Sequence, residues 1–233
     1  MPSTKKTIYF MSSALVTSIS VGLMGYAMSA EWAKMTMNCA NTQDGNYNGS
    51  AVITLRLFNG NLNRNFCPVF GSTDLDSFPV VSTLTDTGAT TSMVLHILVL
   101  LLVVLCLLFS AATILSSLYN SVSNPYETYM GPVGIYIYSS LSTCLSAVVL
   151  IIFVANVNAS NMAERVVIGL TDSEVFLKKK NTKMLVGYYL IIPYAVLSLL
   201  AIALVYMYEH AAYTHRREQQ KPTEDAPKEI MMY

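Results

Sequence analysis

The chain of 233 residues carries 14 lysines and arginines against 14 aspartates and glutamates, so it has no net charge with which to seek nucleic acid. It is 53% hydrophobic and 12% charged, about half the usual charged share, and its polar residues are too few to cover a soluble globule. From residue 87 to residue 163 the one formal charge is Glu127. That stretch is long enough to cross a bilayer, turn and cross back, each pass taking about 20 apolar residues.

Residues 1–7 form a basic start, with Lys5 and Lys6 ahead of a first predicted span at 8–30. A cleaved signal peptide ending near Ala27-Met28-Ser29 is the alternative, but the apolar run exceeds the usual core of about 7–15 residues. Ala14, Ser18 and Gly22 recur every four residues, a spacing expected to let a neighbouring helix approach closely.

Residues 31–92 form a long outer loop. Trp32 opens it, at the membrane edge where an amphipathic ring is at home. Between residues 50 and 58, Ile53, Leu55 and Leu57 alternate with Thr54 and Arg56, the two-residue period of a half-buried strand, and Asn59-Gly60 reads as a hairpin turn. Asn48-Gly49-Ser50 is an N-glycosylation acceptor. Cys39 and Cys67 share the loop. Either they pair under oxidising conditions, closing roughly 29 residues for about 3–4 kcal/mol in the chain-entropy model, or they remain two free thiols.

The second span is predicted at 93–118, with a small-residue pair at Ala112 and Ser116. An inner loop at 119–131 holds Asn124-Pro125, which ends the helix. Pro132 then opens the third span at 132–157, with Ser139, Thr143 and Ala147 as its small-residue stripe. The second outer loop, 158–183, begins with Met162, Val166 and Leu170 at four-residue spacing, a short helical extension ending near Gly169. Asn158-Ala159-Ser160 matches the glycosylation pattern but abuts the membrane. The fourth span, 184–208, contains Pro193, expected to kink it and free the carbonyl of Tyr189. Tyr188, Tyr189, Tyr206 and Tyr208 suit the interfacial aromatic belts. The tail at 209–233 is polar and too poor in apolar residues to fold alone.

Four spans put both termini on one side. Basic residues are slightly more numerous in the outer loops, against the usual bias. Lys5 and Lys6 ahead of the first span, with the acceptor at Asn48 and the cysteines in the opposite loop, nevertheless favour cytoplasmic termini.

Catalytic chemistry is not legible. His96, His210 and His215 show no metal-ligand or hydrolase spacing, and neither a phosphate-cradling loop nor a nucleophile elbow occurs. No span contains an acidic residue. The chain therefore reads as no enzyme, without cofactor or metal, and His96 as a hydrogen-bonded structural residue. Met231-Met232-Tyr233 places apolar side chains at the last position and two before it, as peptide-groove domains of the PDZ type prefer. The basic cluster at Arg216 and Arg217, just inside the fourth span, is expected to meet anionic lipid headgroups.

Trp32, Cys39, Asn48-Gly49-Ser50, Leu57-Phe58-Asn59-Gly60 and Cys67, taken with residues 124–136 and 151–166, resemble the clarin family over essentially the whole chain. Arg56 stands before Leu57-Phe58 where other clarins have glycine. The resemblance implies an all-α membrane protein: a left-handed four-transmembrane-helix bundle with a small extracellular β-sheet from the outer loops. It also implies a plasma-membrane protein that organises or traffics membrane complexes at specialised surfaces, with links to the cytoskeleton and to sensory cells. The implied partners are the lipid bilayer, other membrane proteins and a scaffold at the C-terminus. Two rival expectations stand beside it. One is a small channel or transport accessory lined by Ser139, Ser140 and Thr143; the other is a claudin-like adhesion protein acting through the first loop.

Overall fold

Four segments with little polar about them must satisfy their own amides, and a helix does so within one segment. The computed structural model describes residues 4–40, 49–65, 72–122, 131–160, 162–170 and 176–219. In chain order its elements are α1 (Thr4–Ser29), β1 (Ala33–Ala40), β2 (Gly49–Leu55), β3 (Asn59–Asn65), β4 (Ser72–Pro79) and α2 (Val80–Asp86). There follow α3 (Thr90–Val122), α4 (Pro132–Ala159), α5 (Met162–Gly169), β5 (Phe176–Met184), α6 (Val186–Tyr189) and α7 (Ile191–Gln219). Four helices are long and apolar enough to cross a membrane: α1, α3, α4, and α6 with α7 taken together.

These helices form a ring in which α1 neighbours α3 and α7, and α4 neighbours the same two. The helices run past the predicted spans, α3 by several residues at each end. Pro132 opens α4 as expected, behind Gly131 in extended geometry. The fourth helix is interrupted at Leu190, between α6 and α7, in the turn just before Pro193, where the proline is expected to disturb it by freeing the Tyr189 carbonyl; Pro193 itself falls in the first turn of α7.

The bundle is polar inside and apolar outside. Leu15, Leu101, Leu115, Ile151 and Val196 are exposed, whereas Ser13, Thr17, Ser20, Ser110, Thr113, Ser142, Ser146 and Ser198 are buried. Lipid tails are as apolar as leucine, so helices gain nothing by hiding leucine from them; small hydroxyl residues allow close approach and mutual hydrogen bonds.

The strands form one antiparallel sheet of order β4-β3-β2-β1-β5, four from the segment between α1 and α2 and β5 from the segment between α5 and α6. One face is buried through Met35, Met37, Ala51, Ile53, Leu55 and Leu62, continuous with the apolar cluster at the upper end of the bundle. The alternation predicted near residue 53 is thus seen in β2. The turn is not where the sequence suggested. Leu55 pairs with Gly60 and the Arg56 amide bonds the Asn59 carbonyl, so Leu57-Phe58 is the two-residue turn and Asn59-Gly60 already belongs to β3. Gly60 serves another need: a Cβ there would lie 2.4 Å from the Phe78 ring on β4.

A left-handed residue does close α2. Gly88 has φ +64°, its amide bonds the Thr85 carbonyl, and the Ala89 amide reaches back to Leu84. This helix stop turns the chain directly into α3.

Candidate functional site: the joint between sheet and bundle

One end of the bundle meets the sheet around Trp32. Its backbone amide bonds the Leu55 carbonyl and its own carbonyl accepts from Leu185, so this one residue bridges the ends of β2 and β5. Its indole Nε1–H donates to the Ala27 carbonyl at 2.7 Å, satisfying an acceptor that the end of α1 leaves without an intrahelical partner. The ring sits edge-on to Phe153 of α4, centroids 4.9 Å apart. Gly187 lies against it; a Cβ there would stand 2.5 Å from Trp32 Cδ1 and 2.8 Å from the Glu31 carbonyl oxygen. Trp32 is fully buried. Its ring is therefore the packed corner of the joint, a role that its place in the sequence did not reveal.

Two further ties flank it. His96, fully buried on α3, places Nε2 2.8 Å from the Leu57 carbonyl at the tip of the β2–β3 hairpin. It is a hydrogen-bonded structural histidine, as its solitary position in the sequence suggested. Ser92 Oγ–H donates to Ser160 Oγ at 2.8 Å, Ser160 donates to Asn156 Oδ1 at 2.8 Å, and Asn156 Nδ2–H returns to the Ser92 carbonyl at 3.2 Å. This closed ring locks the start of α3 to the end of α4.

Lys180 completes the joint. Between Thr36–Asn181 and Asn38–Lys178 the β1–β5 register slips by one residue, and Lys179 takes φ 55°. Such a bulge re-aims the side chains beside it. The Lys180 ammonium donates to the Val157 carbonyl at 2.7 Å, in the last turn of α4, where a cation complements the unpaired carbonyls. Burial lowers the Lys180 pKa from its ordinary value, opposed in part by the charge of Glu164.

At mid-bundle, Tyr194 of α7 reaches the helix diagonally opposite. Its hydroxyl lies 2.8 Å from Ser110 Oγ and 3.1 Å from the Cys106 carbonyl, both on α3, and also contacts Ser142 Oγ of α4. Thr113 and Ser139 hydroxyls approach within 3.4 Å, and Ser13 donates to the Ala201 carbonyl at 3.4 Å. At the far end, the Tyr136 hydroxyl donates to Glu209 Oε2 at 2.6 Å and Tyr208 packs edge-on to Phe10 at 5.5 Å.

The small-residue stripes fare differently from their prediction. Ala14 and Ser139 are buried, Thr143 is half-buried, and Ser18, Gly22 and Ala147 are exposed. The reason is geometric: at 3.6 residues per turn, a strict four-residue stripe rotates by about 40° at each step and leaves the interface within two steps. The interface instead alternates steps of three and four, through Phe10, Ser13, Thr17, Ser20, Met24 and Ala27 on α1 and Ser139, Ser142, Ser146, Val149 and Phe153 on α4. Ser140 is exposed.

Cys39 is buried in β1, while Cys106 and Cys144 are free. Cys67, Asn48 and Met231 to Tyr233 lie outside the described residues. Asn158 sits within the last turns of α4, and the hydroxyl of its Ser160 is engaged in the Ser92–Asn156 ring. Among the described residues, no group of three or more histidine, cysteine, aspartate or glutamate side chains comes together to hold a metal.

A family model described as Clarin-2-like matches residues 4–178. Clarin-3 of Mus musculus and Clarin-3 of Homo sapiens are each 31% identical over 235 residues, covering 100% of this chain and of their own. Clarin-3 of Rattus norvegicus is 29% identical over 237 residues with the same coverage. These full-length matches are to clarin-3 proteins of three organisms. With a ring of four long helices and a small sheet at one end to accompany these matches, the chain belongs to the clarin family of membrane proteins, with four candidate spans.

Proposed function

We propose that this protein organises or traffics other membrane proteins at specialised regions of the plasma membrane, without catalysing a reaction, and with both termini in the cytoplasm. The observation that carries the reading is the joint: Trp32, His96 and Lys180 bind the sheet to the helices as one folded unit. The opposite face of that sheet offers exposed Lys34, Asn61, Asn63 and Lys183 to a partner outside. Of the hydroxyls that a channel reading would assign to a path, Ser139 is engaged with Thr113 and Thr143 with the Ser139 carbonyl, while Ser140 is exposed on the outside of the bundle. In this reading Cys39 pairs with Cys67 and Asn48 carries a glycan, so the outer surface is cross-linked and sugar-bearing. The tail ending in Met231-Met232-Tyr233 docks a PDZ-type or cytoskeleton-linked scaffold inside, and the link to sensory cells follows family resemblance.

Proximity labelling from the C-terminus, with and without residues 231–233, tests it. The expected result is a set of membrane and scaffold neighbours of which the scaffold part disappears on deletion. An unchanged set removes the tail from the proposal. A selective, saturable flux in liposomes holding the purified chain overturns the organising role itself.

A further inference from the structure

The flank of the bundle between α1 and α3 carries a groove of about 570 Å3 that no part of the described chain fills. Ile8, Leu15, Ile114 and Leu118 line it around the small side chains of Ala14 and Ser18. Two hydroxyls border it, and both are occupied within α1. Ser12 Oγ–H donates to the Tyr9 carbonyl at 2.9 Å and Ser18 Oγ–H to the Ala14 carbonyl at 2.8 Å. The surface on offer is therefore hydrocarbon, and a polar occupant finds no unmet hydrogen bond.

Length and charge narrow the occupant. From Ile8 to Ser18 α1 rises about 15 Å, half of the roughly 30 Å hydrocarbon core and so the depth of one leaflet. A docked helix from a second copy would call for a contact along the whole span, whereas the groove ends at Ser18. Lys5 is exposed and precedes Ile8 by three residues and Ser12 by seven, which places it on the same side of α1, one turn nearer the end remote from the sheet. Among the described residues no ion pair holds it.

We propose that this groove holds one phospholipid of the leaflet opposite the sheet, an acyl chain lying over Ala14 and Ser18 and an acidic headgroup paired with Lys5. The inference rests on the bundle spanning a bilayer, as the proposed function also requires.

The test is native mass spectrometry of the full chain released from nanodiscs made of equal parts phosphatidylserine and phosphatidylcholine. The wild type is expected to retain one phospholipid per copy, with phosphatidylserine preferred by about fivefold, the share one lysine supplies at an anionic surface. Lys5→Gln should keep the lipid and lose the preference. Ser18→Leu, at a position facing away from the helix core, should lose the lipid altogether, with Trp32 emission unchanged as proof of folding. Retention of lipid in Ser18→Leu, an unaltered preference in Lys5→Gln, or a dimer mass in place of bound lipid overturns the inference. A chain that does not enter nanodiscs overturns the membrane-spanning reading beneath it.

Discussion

The imidazole Nε2 of His96 stands 2.8 Å from the backbone carbonyl of Leu57, in a place where neither residue is reached by solvent. This bond joins α3 to the tip of a hairpin 39 residues earlier in the chain. His96→Leu should therefore destabilise the protein by about 1–3 kcal/mol, the penalty for a buried carbonyl left without its donor. His96→Gln, which keeps an N–H within reach, should recover part of this. Thermal unfolding in detergent measures the loss, and hydrogen exchange should show faster exchange in β2 and β3.

Tyr194→Phe removes one hydroxyl and its three close contacts, to Ser110, Ser142 and the Cys106 carbonyl. Interhelical hydrogen bonds in membranes average about 0.6 kcal/mol and reach about 1.7. A loss of about 1–2 kcal/mol is expected, since Tyr194 links the diagonal pair α3 and α7. A double-mutant cycle with Ser110→Ala should return a coupling that is clearly non-zero, and strict additivity would show the contact to be idle.

Glycines separate by what surrounds them. Gly187→Ala drives a methyl into the Trp32 ring and the Glu31 carbonyl, a clash of the kind that costs about 1–3 kcal/mol. Trp32 is the single tryptophan of the chain, so its emission reports the damage directly. Gly22→Ala and Gly25→Ala meet nothing within 4 Å and should be neutral or stabilising by up to about 1 kcal/mol through helix propensity.

Lys34 and Lys183 face each other across β1 and β5. Like charges directly opposite oppose pairing, and opposite charges add roughly 0.2–1 kcal/mol. Lys34→Glu should raise the melting temperature at low salt, and the gain should shrink as salt screens it.

Lys180 gives a pH dependence with a defined sign. Its pKa in the fold lies below the ordinary 10.5, so between those two values the unfolded chain holds the proton that the folded chain has released. Stability then rises with pH across that window, and below it the penalty of burying the charge is present in full. Relative to Lys180→Gln, the wild type should gain stability as pH climbs through the alkaline range. The comparison is made by chemical unfolding of both proteins at matched pH.

The four long apolar helices were readable because a helix able to cross hydrocarbon shows it in composition: within residues 93–118 the polar side chains are His96, Ser110, Thr113, Ser116 and Ser117. The sheet was readable only in β2, where Ile53 and Leu55 alternate with threonine. β3 reads Asn-Gly-Asn-Leu-Asn-Arg-Asn and β5 carries four lysines, so their strand character comes from the backbone partners on either side and not from their own side chains. Trp32 and Lys180 escaped for a related reason: each acts on a helix end that lies close in space only after the sheet has formed. The diagonal reach of Tyr194 escaped too, since a tyrosine inside a span looks the same in sequence whether it faces lipid or the bundle.

The β1–β5 pairing has a temporal side. β1 can meet β2 as soon as the ribosome has delivered residue 55, but its other edge stays open until Met184 has emerged, two residues ahead of α6. The strand that completes the sheet is thus the immediate leader of the last of the four long apolar helices. A chain halted before β5 leaves one edge of β1 unpaired, so the sheet is complete only when the final helix is about to be made.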